Sequence, residues 1–126
     1  MRLVLLSLEL AVCRLAPEEA IPAWAVRRTG FFSITSTEDE LSLVCVADSV
    51  PEEVRCERNW RAIKVVGPLD FALVGILASL SSTLAQAQVS IFAVSTFDTD
   101  YILVKEPQLA QAVDALEQAG HELIQA

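Results

Sequence analysis

Ile91-Phe92-Ala93-Val94-Ser95-Thr96-Phe97-Asp98-Thr99-Asp100-Tyr101-Ile102-Leu103-Val104-Lys105 reads as two strands around a turn. β-Branched and aromatic residues dominate both arms, and Asp98-Thr99 supplies the turn chemistry. Upstream, Leu73, Ile76, Leu77, Leu80 and Leu84 recur at helical spacing, with Ser81, Ser82, Gln86 and Gln88 largely off that stripe. Asp70 stands where an N-cap belongs, and Gly67-Pro68 closes an alternating strand, Trp60–Val66. Downstream, Pro107 suits a first helical turn, Leu109, Val113 and Leu116 form an apolar stripe, and Gly120 ends the helix. His121–Ile124 closes as a short strand.

The order strand, helix, strand, strand, helix, strand is the ferredoxin-like α+β pattern, a sheet covered by helices on one face. The first half echoes it. Leu3–Leu6 and Leu10–Leu15 read as strands, Pro22–Val26 leaves room for one or two helical turns, and Phe31–Thr37 and Leu41–Val46 flank an acidic turn, Glu38-Asp39-Glu40. Pro51-Glu52-Glu53 opens a short connection towards Trp60. At an offset of 60, Phe32–Val44 overlies Phe92–Val104 without a gap: Thr35 meets Ser95, Ser36 meets Thr96, Glu38 meets Asp98 and Glu40 meets Asp100. An internal duplication is expected, with units at 1–58 and 59–126. Halves of this size are marginal alone, so a packed pseudo-dimer with a ligand pocket in its crevice is expected.

Of the 126 residues, 53% are hydrophobic and 17 acids outnumber 9 bases, for a net charge of −8. Residues 1–60 hold 10 acids and 6 bases, and the remainder 7 and 3, so each half is −4. Binding to nucleic acid or to an anionic membrane needs a basic surface that neither half has. Cys13, Cys45 and Cys56 contain no Cys-x-x-Cys spacing, so reduced thiols in a cytoplasmic protein are expected rather than a zinc site or disulfide framework. The Met1–Cys13 start resembles a short signal peptide, but Glu9 interrupts its apolar run and Val12 is too bulky before a cleavage site. Phe71–Phe97 is uncharged, yet its serines and glutamines and its change of period favour a core helix followed by a strand over a membrane span.

The Gly67-Pro68-Leu69-Asp70-Phe71 loop, the helix after it and the Ser95-Thr96-Phe97-Asp98-Thr99-Asp100 run resemble small bacterial tandem ACT-domain proteins, related to the ACT domains of aspartate kinases and to the CASTOR arginine sensors. Ala11–Leu15, Trp24 and Phe31–Thr35 extend the resemblance over nearly the whole chain. It implies paired βαββαβ units, no catalysis, and a free amino acid held where two units meet. Carried across by residue, it points to Gly67, Pro68, Leu69, Asp70 and Phe71, to Thr96, Phe97, Asp98 and Asp100, and to Ser33 and Ile34 on the partnering strand. The departure is Pro17–Arg28, too short for a full ACT helix.

The residues themselves leave several roles open. Asp70 either caps the helix or meets a ligand ammonium, while helix N–H groups suit an α-carboxylate. Asp98 and Asp100 are either ordinary turn residues or charge-assisted partners of an ammonium or guanidinium. Phe97 either covers a ligand's aliphatic part or fills core. Thr96 and Ser33 are hydroxyls in apolar strands that need a partner, backbone or ligand.

Catalysis finds no Ser-His-Asp set, since His121 is the only histidine, and no Gly-rich phosphate loop. No enzyme, no cofactor and no metal are expected; consecutive acids at Glu38–Glu40 read as a solvated hairpin tip. The rival reading is a ligand-free oligomerisation or protein-interaction module, with copies paired as a homodimer through sheet edges. An enzyme with a carboxylate base at Asp98 or Asp100 ranks third.

Overall fold

A computed structural model of the chain describes residues 1–28, 30–70 and 74–126. Among the described residues seven strands and two α-helices follow in order: β1 (Arg2–Leu15), β2 (Ser33–Ser36), β3 (Leu41–Val46), β4 (Cys56–Val65), α1 (Ile76–Gln86), β5 (Ile91–Ser95), β6 (Asp100–Lys105), α2 (Leu109–Gln118) and β7 (Glu122–Gln125). Contacts divide the chain into a larger unit, Met1–Ser7 with Arg61–Ala126, and a smaller one, Leu8–Trp60.

The larger unit carries the expected β-α-β-β-α-β series from β4 to β7. Its sheet runs β7-β1-β4-β6-β5, so the last strand lies beside β1 and not beside β4. β7 is parallel to β1, with Arg2 opposite Glu122 and Leu5 opposite Gln125. Alternate residues Leu3 and Leu5, Ile63 and Val65, and Ile102 and Val104 meet Leu80 and Leu84 of α1 and Ala112 and Leu116 of α2 in one core. The two-residue period of the strands and the helical period of α1 and α2 thus select the same buried set. Each fully buried Leu contributes about 1.5–3 kcal/mol through its removal from water.

Helix ends follow local chemistry. Gly120 has φ 97, and the bonds His121 N–H to Leu116 O (3.1 Å) and Gly120 N–H to Glu117 O (3.0 Å) form a Schellman cap, as a glycine after the last turn allows. At the other helix the expectation changes. α1 starts at Ile76 behind its N-cap Gly75, which has φ 81, and among the described residues no side-chain cap hydrogen bond forms there. Asp70 is therefore not its N-cap; a left-handed residue that glycine alone adopts without strain sets the start instead. Leu73 and Phe71, also assigned to this region, lie outside the described residues.

In the smaller unit the order is β2-β3-β1-β4. Ala11, Cys13, Leu41, Leu43, Cys45, Ala47 and Val50 form its core, with Trp24, Phe32 and Ile34 packed against it. The Pro17–Arg28 segment yields only a single 3-10 turn at Ala23–Ala25, in keeping with its length. Arg58 ties the connection before β4 by donating to Ala47 O (3.1 Å) and Val50 O (3.2 Å).

Two sequence expectations shift. Leu3–Leu6 and Leu10–Leu15 are one unbroken strand, because Ser7-Leu8-Glu9 holds no Pro or Gly that would end it. The expected division at residue 58 differs from the contact division by that strand: Met1–Ser7 groups with the C-terminal residues, since Leu3 and Leu5 are buried in their core.

The cysteines all belong to the smaller unit. The neighbouring Cys45 thiol, together with burial, holds the Cys13 thiol above the ordinary range; burial first, and the neighbouring Cys13 next, raises Cys56. Cys13 and Cys45 are buried and Cys56 is half-buried. A thiol reagent such as Ellman's should therefore label only Cys56 in the native protein, slowly, and all three cysteines in denaturant. Rapid native labelling of two or more would show that this core opens.

Candidate functional site

The site grows from the turn between β5 and β6. Thr96 N–H donates to Thr99 O (2.8 Å), its hydroxyl donates to the same carbonyl (3.1 Å), and Thr99 N–H donates back to Thr96 Oγ1 (3.3 Å). The Thr99 hydroxyl, 5% exposed, donates to Val65 O at 2.6 Å and fastens the turn to the end of β4. The neighbouring loop is drawn in by Leu69 N–H, which donates to Asp98 O at 2.6 Å. Gly67 permits that approach: a Cβ there would lie 2.9 Å from Asp98 O and 3.2 Å from Leu69 N. The Gly67–Pro68 peptide is cis. Across the ladder, Ser95 Oγ donates to Asp100 Oδ1 at 2.5 Å, fixing the carboxylate that opens β6.

Among the described residues two concavities lie against this turn. The first, about 330 Å³, is lined by Leu69 and Asp70, by Gly75–Ala78 at the start of α1, and by Ser95–Asp100. It brings together three carboxylates, Asp70, Asp98 and Asp100, with the hydroxyls of Ser95, Thr96 and Thr99 and the uncapped first turn of α1. Phe97 is 79% exposed at its wall, so it does not fill core. The second, about 430 Å³, is lined by Val4, Leu6, Lys64, Val66, Gly67, Pro68 and Tyr101 and shares Thr96, Asp98 and Thr99 with the first. Lys64 Nζ stands 6.0 Å from the Tyr101 ring centroid.

Eight of the residues read from sequence thus gather at this corner: Leu69, Asp70, Phe97 and Asp100 at the first concavity, Gly67 and Pro68 at the second, Thr96 and Asp98 at both. Phe71 lies outside the described residues. Ser33 and Ile34 sit half-buried on β2, opposite Val44 and Leu43, and Ile34 packs on the smaller unit's core. Among the described residues they line neither concavity. Sequence reasoning missed Ser95 and Thr99. Their signal was available, since hydroxyls flanking Thr96-Phe97-Asp98 inside a β-hairpin need partners. Among the described residues no cluster of His, Cys, Asp or Glu is arranged to hold a metal ion. None of the described helices is long and apolar enough to cross a membrane.

The ACT-domain family model matches residues 55–118, just over half of the chain. The chain belongs to the ACT-domain family. A further family model, of an N-terminal domain, matches residues 9–53. Over 99% of this ACT protein and 92% of its counterpart, the crystal structure of protein Atu0741 from Agobacterium tumefaciens is 43% identical, with a TM-score of 0.92. The cytosolic arginine sensor for mTORC1 subunit 1 of Rattus norvegicus and of Homo sapiens is 30% identical over 95 residues, 69% of this chain. That match covers 29% of the sensors' own length. The aspartate kinase of Clostridium acetobutylicum, described as an allosteric enzyme, shares the fold at a TM-score of 0.66 and 16% identity, over 89% of this chain and 32% of the kinase. The fold is accordingly that of ACT regulatory domains, α+β and ferredoxin-like.

Proposed function

We propose that this ACT protein is a non-catalytic, cytoplasmic regulatory module that binds a free amino acid at the Thr96–Thr99 corner. The observation that carries the reading is the 330 Å³ cavity, whose lining includes three carboxylates together with the first residues of α1. Its size suits a small metabolite. The carboxylates suit an ammonium or guanidinium through charge-assisted hydrogen bonds, and the helix start suits an α-carboxylate. An excess of acids favours a cationic amino acid, and the name of the mammalian arginine sensors points the same way. In the tandem arrangement that the family resemblance implies, such a ligand is held where two ACT units meet.

Isothermal calorimetry of the full chain with each of the twenty amino acids at millimolar concentration tests this. One or a few cationic amino acids should bind, and Asp100→Asn should weaken binding about tenfold or more. The absence of heat and of thermal shift with all twenty overturns it. A second reading, ligand-free pairing of copies, is favoured by the exposure of Phe97 (79%) and Val74 (91%) near this corner. A dimeric mass in light scattering without amino acid, together with silent calorimetry, would replace the first reading by the second.

A further inference from the structure

A third concavity, about 440 Å³, lies away from the turn, along α2. Its floor is apolar, from Leu5, Leu109, Ala110 and Val113, and Glu106, Asp114 and Glu117 stand around it. α2 already buries Ala112 and Leu116 in the core, so Ala110 and Val113 form a second apolar stripe on its flank. The lining residues of the helix and its preceding turn recur every three to four positions from 106 to 117, a face about 16 Å long at 1.5 Å per residue. No lining residue is basic. Glu106 pairs with Arg61 at 3.2 Å, and Asp114 accepts from Gln118 Nε2 at 3.0 Å. Among the described residues, neither Asp114 nor Glu117 has a cation within ion-pair distance.

We propose that this groove docks an amphipathic helix of a partner protein, with an apolar stripe flanked by Lys or Arg. Charge complementarity selects that occupant. An apolar anchor between two carboxylates rewards a helix whose ridge is aliphatic and whose borders are cationic, in the helix-in-groove mode. A second copy of this chain cannot supply it, because neither α1 (Ile76–Gln86) nor α2 (Leu109–Gln118) contains a single Lys or Arg. The groove shares no lining residue with either concavity at the turn, so the inference stands apart from the amino-acid reading.

The probe is a fluorescein-labelled synthetic helix with Leu at heptad-like positions and Lys beside them, titrated with the full chain in fluorescence anisotropy. Saturable binding is expected, weakened by added salt. Asp114→Lys with Glu117→Lys should weaken it roughly tenfold or more, and Val113→Asp similarly. Because the chain as a whole is −8, the same charge change placed at exposed Glu52 and Glu53 is the control and should leave affinity within about twofold. Asp114 and Glu117 are exposed, so thermal melts of that double variant should match the parent. Absence of saturable binding overturns the proposal. So does equal binding of a probe with Leu replaced by Ser, or an equal loss in the Glu52/Glu53 control, either of which reduces the effect to bulk charge.

Discussion

Replacing Gly67 by Ala is expected to destabilise the protein by about 1–3 kcal/mol, with a Tm loss on the order of 5–15 °C. The added methyl would sit 2.9 Å from Asp98 O and 3.2 Å from Leu69 N and from Thr99 Cβ. The first two neighbours are backbone atoms and cannot rotate out of the way. Relief requires the Gly67–Leu69 loop to move off the turn, which lengthens the Leu69–Asp98 hydrogen bond, 2.6 Å in the parent. The same displacement shifts Leu69 and Asp70 in the cavity wall, so any ligand held there should bind more weakly as well. Gly120→Ala separates this cause from generic glycine effects. It has φ 97 and open space around the built Cβ, so it costs only the left-handed strain, about 1 kcal/mol. Thermal melts of both variants give the comparison. If Gly67→Ala melts within a degree or two of the parent, the two loops are not held in contact and the corner is not a built site.

The sequence made the hairpin, both helices and the ferredoxin-like order legible because each depends on a local period. α2 and its Gly120 stop illustrate this: stripe, cap and boundary all lie within one short segment. What escaped it was non-local. Ser7-Leu8-Glu9 gives no sign that one strand serves two cores, since Leu3 and Leu5 take their partners more than fifty residues away. Asp70 looked like a cap because its side chain suits one, whereas Gly75 outcompeted it through backbone conformation alone.

The correspondence of the two hairpins, expected at an offset of 60, lies one residue out of register. Ser36 pairs with Leu41, and Ser95 with Asp100, so the hairpins correspond at an offset of 59. Thr37 then matches Thr96, and it repeats the same bonds, its N–H to Glu40 O at 3.0 Å and its hydroxyl accepting from Glu40 N–H at 3.2 Å. The ungapped offset of 60 matched more residue types, but a one-residue slip exchanges the two faces of a strand. Hydrogen-bond geometry, which composition does not encode, decides between them. At the corner itself, the carboxylates were legible by type, and the two tethers, Thr99 to Val65 and Ser95 to Asp100, were not.

The second large effect falls on one of those tethers. Thr99→Val keeps the shape of the side chain and removes only the hydroxyl. That leaves Val65 O, buried at the end of β4, without the donor it meets at 2.6 Å. An unsatisfied buried carbonyl costs about 1–3 kcal/mol, and the methyl that replaces the hydroxyl cannot compensate, because the carbonyl still points at it. Thr99→Ser should recover most of the loss, since it restores the donor at the expense of one methyl. At the twin position in the other hairpin stands Glu40, where Glu40→Gln is expected to stay within about 0.5 kcal/mol. The two turns thus share their internal hydrogen bonds and differ in how they are anchored. Thr99→Val should also speed amide exchange at Thr96 and Leu69, whose N–H groups donate to the turn carbonyls at 2.8 and 2.6 Å. Denaturant unfolding and hydrogen exchange read the two effects separately. A Val variant as stable as the parent, with unchanged exchange at Thr96 and Leu69, would mean that the turn holds its position without β4, and that the cavity's geometry is set by the β5–β6 ladder alone.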